Sequence, residues 1–70
     1  MEKVSKVLTL LLEKALDAAI RSNSKQAVKA AYLNYQQNGL IVTKDERQYA
    51  LHACKDALDE IDARRAYAAQ

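Results

Sequence analysis

Gly39 is the only glycine in the chain and proline is absent, so only side chains that prefer caps and turns can interrupt a helix. Ala, Leu, Lys, Glu and Gln are abundant, and all of them are good helix formers. A sheet has nothing to build on. Ile41-Val42 is a short β-branched run, but no second strand-like segment exists with which it could pair.

Three helices are expected. The first spans about residues 2–21, where Val4, Leu8, Leu11, Ala15 and Ala18 recur at spacings of four and three along one stripe. Val7, Leu12 and Ala19 broaden that stripe, and Leu10, Leu16 and Ile20 extend it onto flanks that one neighbouring helix does not cover. Glu2 near its start and Arg21 at its end suit the helix dipole. Ser22-Asn23-Ser24 breaks it, with either Asn23, paired to Gln26, or Ser24 capping the next helix. That second helix covers about residues 25–37, with Ala27, Val28, Ala31, Tyr32 and Tyr35 on one side and Leu33 opposite. Gly39 ends it as a left-handed residue, and Leu40 closes a Schellman motif.

Thr43-Lys44-Asp45-Glu46 reads as a capping box. It opens a long third helix over about residues 44–66, along which Leu51, Cys54, Leu58, Ile61, Arg65 and Ala68 form a heptad-type seam. Arg65 stands where an aliphatic residue is expected. Either the helix leaves the bundle there, or Arg65 meets a carboxylate of another chain, or its stem snorkels to solvent.

No repeat, low-complexity tract or linker divides residues 1–70, which are expected to form a single domain. A chain of 70 residues is short of core and compensates by close helix packing or self-association. One cysteine cannot close a disulfide within the chain, so a reducing, cytoplasmic location is expected. Apolar runs such as Leu10–Leu12 fall far short of the roughly 20 residues of a membrane span. Met1-Glu2-Lys3 does not begin an apolar signal core, so export is not expected. A net charge of +2, from 11 basic and 9 acidic side chains, gives no strong overall pull toward nucleic acid or anionic membrane.

Catalytic constellations are sparse. His52 lies one turn before Asp56, with Asp59 a turn further on, a spacing that could offer a metal one imidazole and two carboxylates. No second His or Cys joins them at ligand spacing, and an exposed His among helix acids is a common solvated face. Cys54 points roughly 200° around the helix from His52 and reads as a small core hydrophobe. Ser5, Ser22 and Ser24 have no adjacent base, and one glycine cannot make a phosphate-cradling loop. No catalytic residue, metal, cofactor or small-molecule substrate is therefore assigned, and the chain is not expected to be an enzyme.

Arg21, Lys25, Lys29, Arg47, Arg64 and Arg65 could form a basic patch on phosphates, with Tyr32 and Tyr35 stacking on bases. Asp45, Asp56, Asp59, Glu60 and Asp62 interleave with those cations, and the Asn38–Thr43 connection is longer than a helix-turn-helix turn. Nucleic-acid association is thus the alternative reading. The first helix has no aromatic side chain, so its apolar face reads as core rather than as a membrane anchor.

What remains is surplus apolar surface. The expected architecture is all-α, a three-helix bundle-like domain with a long C-terminal helix, completed by homodimerisation. The expected function is a small non-enzymatic interaction or regulatory module that presents an apolar helical surface to a second copy or to another protein. Leu10, Leu12, Leu16, Ile20, Leu33, Leu40 and Ile41 are the expected contact residues, being apolar side chains left over once the core stripe is assigned.

Overall fold

The computed structural model describes residues 4–68. Three helices, α1 (Lys6–Arg21), α2 (Lys25–Gln37) and α3 (Lys44–Ala68), pack against one another pairwise. Among the described residues there is no strand.

Each helix start is set by a hydroxyl. Ser5 is extended and its Oγ accepts from the Val7 amide at 3.2 Å, so α1 begins at Lys6 and not near residue 2. Val4 lies in a bend before it, and Glu2, expected in the first turn, falls outside the described residues. Ser24 caps α2 by accepting from Ala27 at 3.1 Å. Asn23 therefore does not cap α2. At φ 55° it is the left-handed residue that ends α1, with the Ser24 amide bonded to Ala19 O and its own amide to Ile20 O, both at 3.0 Å. That is a Schellman motif built on asparagine, the residue after glycine that best tolerates this conformation. The expected one follows α2: Gly39 has φ 76°, Leu40 N donates to Tyr35 O at 2.9 Å, and Gly39 N donates to Gln36 O at 3.2 Å.

Thr43 and Glu46 form the capping box, with Glu46 N donating to Thr43 Oγ1 and Thr43 N to Glu46 Oε1, each at 3.1 Å. Glu46 goes further. Oε1 also accepts from Val42 N at 3.2 Å, and Oε2 accepts from Ser5 N at 3.3 Å. One buried carboxylate thus binds the start of α3 to the start of α1, across 41 residues of sequence. The amides of Thr43 and Val42 hold its carboxyl below the ordinary 4.5, the amide of Ser5 and the hydroxyl of Thr43 pull the same way, and burial opposes them.

The core is Leu8, Leu12, Leu16 and Ala19 of α1, Val28 of α2, Ile41 of the second connection, and Ala50, Cys54, Ala57 and Ile61 of α3. On α1 the buried face is turned roughly a fifth of a revolution from the expected stripe: Leu11 is exposed and Ala18 lies on the surface, while Leu12 and Leu16 are inside. Leu12 and Leu16, expected at an interface, are instead the centre of the core. Periodicity could not choose between these phases, because apolar residues occur on nearly every side of α1.

On α3 the interior line is Glu46, Ala50, Cys54, Ala57 and Ile61, and the expected seam is displaced. Glu46 fixes the rotation, and residues 4, 8, 11 and 15 positions beyond it share its face. Leu51 consequently stands outside, half exposed. Ile41, also expected at an interface, is buried, because the Schellman turn sends the chain back over the end of the bundle.

Beyond Ile61, every described residue of α3 is exposed. The helix runs to Ala68, two residues past the expected end, and is tied back by two contacts. Lys25 is ion-paired with Asp62, and the Arg65 guanidinium donates to Asn23 O at 2.7 Å. Arg65 thus meets a carbonyl of its own chain's first turn.

Two outcomes follow from the caps. Gly39→Ala has open space for its methyl but retains the positive φ, and should lose about 1 kcal/mol, whereas Asn23→Gly should be neutral or stabilising by a few tenths; urea unfolding measures both. Glu46 should contribute stability that is fully present above pH 4.5 and is lost as the pH falls through its lower folded value. Thermal melts of the wild type should therefore drop over that acidic range, and Glu46→Gln should flatten that part of the profile and lower Tm at neutral pH.

Candidate protein-docking groove

The packing leaves an apolar groove between α2 and α3, of about 340 Å³, lined by Val28, Lys29, Tyr32, Leu33, Leu51, Cys54, Lys55 and Leu58. Its origin is the rotation of α3. With Ala50, Cys54 and Ala57 turned inward, the larger Leu51 and Leu58 become the outer wall. On α2, Val28 points into the core, so Leu33, five residues on, stands well away from it at ~100° per residue. Leu33 is 54% exposed and Leu51 52% exposed, facing each other over a floor of buried Val28 and Cys54. Lys29 rises from the α2 wall and Lys55 from the α3 wall, and no carboxylate lines the groove.

Cys54 is the floor's only reactive group, and burial pushes its thiol above the ordinary 9.0. At neutral pH it stays protonated, which suits packing and not nucleophilic attack.

A second groove separates α1 from α3, of about 560 Å³. Leu12, Leu16 and Ala57 form its floor, Ile20, Tyr49 and Ala53 its sides, and Glu13, Asp17, Asp56 and Glu60 its rim. Two rim acids are compensated from their own helices: Asp17 by Arg21 at 3.1 Å and Glu60 by Arg64 at 3.5 Å.

The expected contact residues scatter over the molecule. Leu12, Leu16 and Ile41 are core; Ile20 and Leu40 are half-buried against it. Leu10 is exposed in a separate depression of about 500 Å³ with Glu13, Lys14 and Asp17. Only Leu33 of the seven lines the α2–α3 groove. Leu51 and Leu58 were assigned to the α3 seam by their heptad spacing. The signal that corrects this lies in Glu46, whose capping box sets which face of α3 is interior.

Of the expected phosphate contacts, Arg21, Lys25, Arg64 and Arg65 gather around the end where the α1–α2 turn meets the last turns of α3. Each is already engaged, with Asp17, Asp62, Glu60 and Asn23 O respectively for Arg21, Lys25, Arg64 and Arg65. Arg47 lies near the opposite end of α3, some 27 Å away at ~1.5 Å per residue. Tyr32 and Tyr35, expected to stack on bases, are half-buried against the core, and the Tyr35 hydroxyl donates to Leu11 O at 3.1 Å. His52, Asp56 and Asp59 are exposed, and among the described residues no group of three or more His, Cys, Asp or Glu could hold a metal. No helix among the described residues is long and apolar enough to cross a membrane.

No family model matches the chain, and neither a curated protein nor a solved structure matches it.

The reassignment of α1 has a direct check. Leu12→Ala removes a fully buried side chain and should cost ~2–5 kcal/mol in chemical unfolding. Leu10→Ala, at a 60% exposed position, should stay within ~0.5 kcal/mol of the wild type.

Proposed function

We propose that the chain is a small non-enzymatic docking module of the cytoplasm, which receives an apolar segment of another protein in the α2–α3 groove. The observation that carries this reading is Leu33 facing Leu51 across a buried floor, each more than half exposed. Two leucines on adjacent helices leave a continuous apolar trough in water, and contiguous surface of that kind marks interaction sites. Residues of other roles are scarce: the one thiol is buried with its pKa raised, and the one histidine is solvated on an open helix face.

Homodimerisation through the same trough is the competing occupant, supported by the shortness of the chain. Phosphate binding by the cationic end draws on fewer resources. Three of its four cations face carboxylates of their own chain, which cancel the long-range attraction such binding requires.

A library of displayed peptides panned against the protein tests the reading. Selected peptides should bind Leu33→Asp and Leu51→Asp at least ~tenfold more weakly and bind Leu10→Asp unchanged. All three substitutions sit at positions more than half exposed, so helical circular dichroism should be retained. Absence of any binder, binders indifferent to the groove substitutions, or a stable wild-type dimer in sedimentation that Leu33→Asp dissociates would each overturn it.

A further inference from the structure

The charges around the groove specify what enters it. We infer that the occupant is an amphipathic helix of a partner protein whose apolar ridge is flanked by carboxylates, an assignment that rests on the docking reading above.

Length and spacing come from α3. Leu51 and Leu58 are seven residues apart, about 10.5 Å along the axis. An incoming helix covers that distance in two turns, with apolar anchors at i, i+3 or i+4, and i+7. Such a ridge would lie between Leu33 on one wall and Leu51 with Leu58 on the other.

The flanks follow from Lys29 and Lys55, which stand on opposite walls. Among the described residues neither takes part in an ion pair, whereas Lys25, one turn before Lys29, is neutralised by Asp62. An ammonium on each side of an apolar trough, with no carboxylate lining it, favours negative charge on both shoulders of the occupant.

The molecule also discriminates. The α1–α3 groove is larger and has an apolar floor too, but Glu13 and Asp56 rim it beside the arginine-compensated Asp17 and Glu60, and no lysine or arginine lines it. An acid-flanked helix is repelled there and attracted between α2 and α3. The same lysines disfavour two copies meeting groove to groove, since a two-fold axis would bring Lys29 and Lys55 of each copy toward those of the other.

Two synthetic peptides of about 16 residues test this. They share one leucine ridge and differ only in carrying glutamate or lysine on its flanks. In fluorescence anisotropy at low salt the glutamate peptide should bind roughly tenfold more tightly, and the advantage should shrink as salt rises. The Lys29→Glu/Lys55→Glu variant, with melting and helical content checked against the wild type, should reverse the preference. Equal binding of the two peptides, still abolished by Leu33→Asp, overturns the acidic partner and leaves the docking reading standing. Failure of both peptides to bind in a Leu33-dependent manner overturns the docking reading, and this assignment with it.

Discussion

The side chain of Glu46 is the point from which the arrangement of the bundle follows. Its carboxylate accepts from three backbone amides belonging to two helix starts, and a buried acid survives only when its oxygens are satisfied in this way. A capping box ordinarily fixes where a helix begins. Here the same oxygen pair also fixes where α1 begins relative to α3, since the Ser5 amide lies on Oε2 while Thr43 and Val42 share Oε1. The first and third helices are thereby in register before any hydrophobic packing is considered, and the Schellman turn at Gly39 delivers Ile41 into the end of the core between them.

From that register the surface follows. Turning Glu46 inward brings Ala50, Cys54 and Ala57 inward as well, so α3 meets the leucines of α1 through small side chains. Small residues on one helix against large ones on the other make an interdigitated interface. The cost is that the larger side chains of α3, Leu51 and Leu58, are left on its flank, where α2 only partly covers them. The groove is therefore a direct consequence of how the core is closed.

Local signals were the legible part of the sequence. The bounds of α2, the glycine-terminated turn and the Thr43–Glu46 box each depend on residues within one or two turns of one another, and the structure has them where capping rules put them. The face of α2 was legible too, with Val28, Ala27, Tyr32 and Tyr35 toward the core and Leu33 away from it, but the phases of α1 and α3 were not, for opposite reasons. On α1 too many positions are apolar, so stripes a fifth of a turn apart score alike. On α3 the inward face carries only one large apolar side chain, Ile61, beside alanine, cysteine and a carboxylate, whereas Leu51 and Leu58 lie on its flank, so the seam read from large apolar residues shares Cys54 and Ile61 with the interior line but is rotated off it. The bond from Ser5 N to Glu46 joins the starts of the two helices across 41 residues, and no spacing along the chain announces it. Asn23 and Ser24 stood as alternative caps of α2 because asparagine serves equally as an N-cap and as a left-handed terminator; Ser24 takes the first role and leaves Asn23 the second.

The thinnest part of the bundle coincides with the groove. α2 contributes one fully buried side chain, Val28, while α1 contributes four buried residues and α3 five. Beyond Val28, the half-buried Ala27, Tyr32 and Tyr35 pack against the core, and α2 is further held by its two terminal turns, the Tyr35 hydroxyl on Leu11 O and the Lys25–Asp62 pair. A ligand covering Leu33 and Leu51 would add apolar burial where the chain itself supplies least, so binding there and the stability of α2 are thermodynamically linked. The exposed leucines act as unfinished core. Leu33 and Leu51 stand in water as Leu10 and Leu11 do, while the buried leucines of α1 and the Glu46 knot hold α1 against α3, so the fold closes with the α2–α3 seam left open.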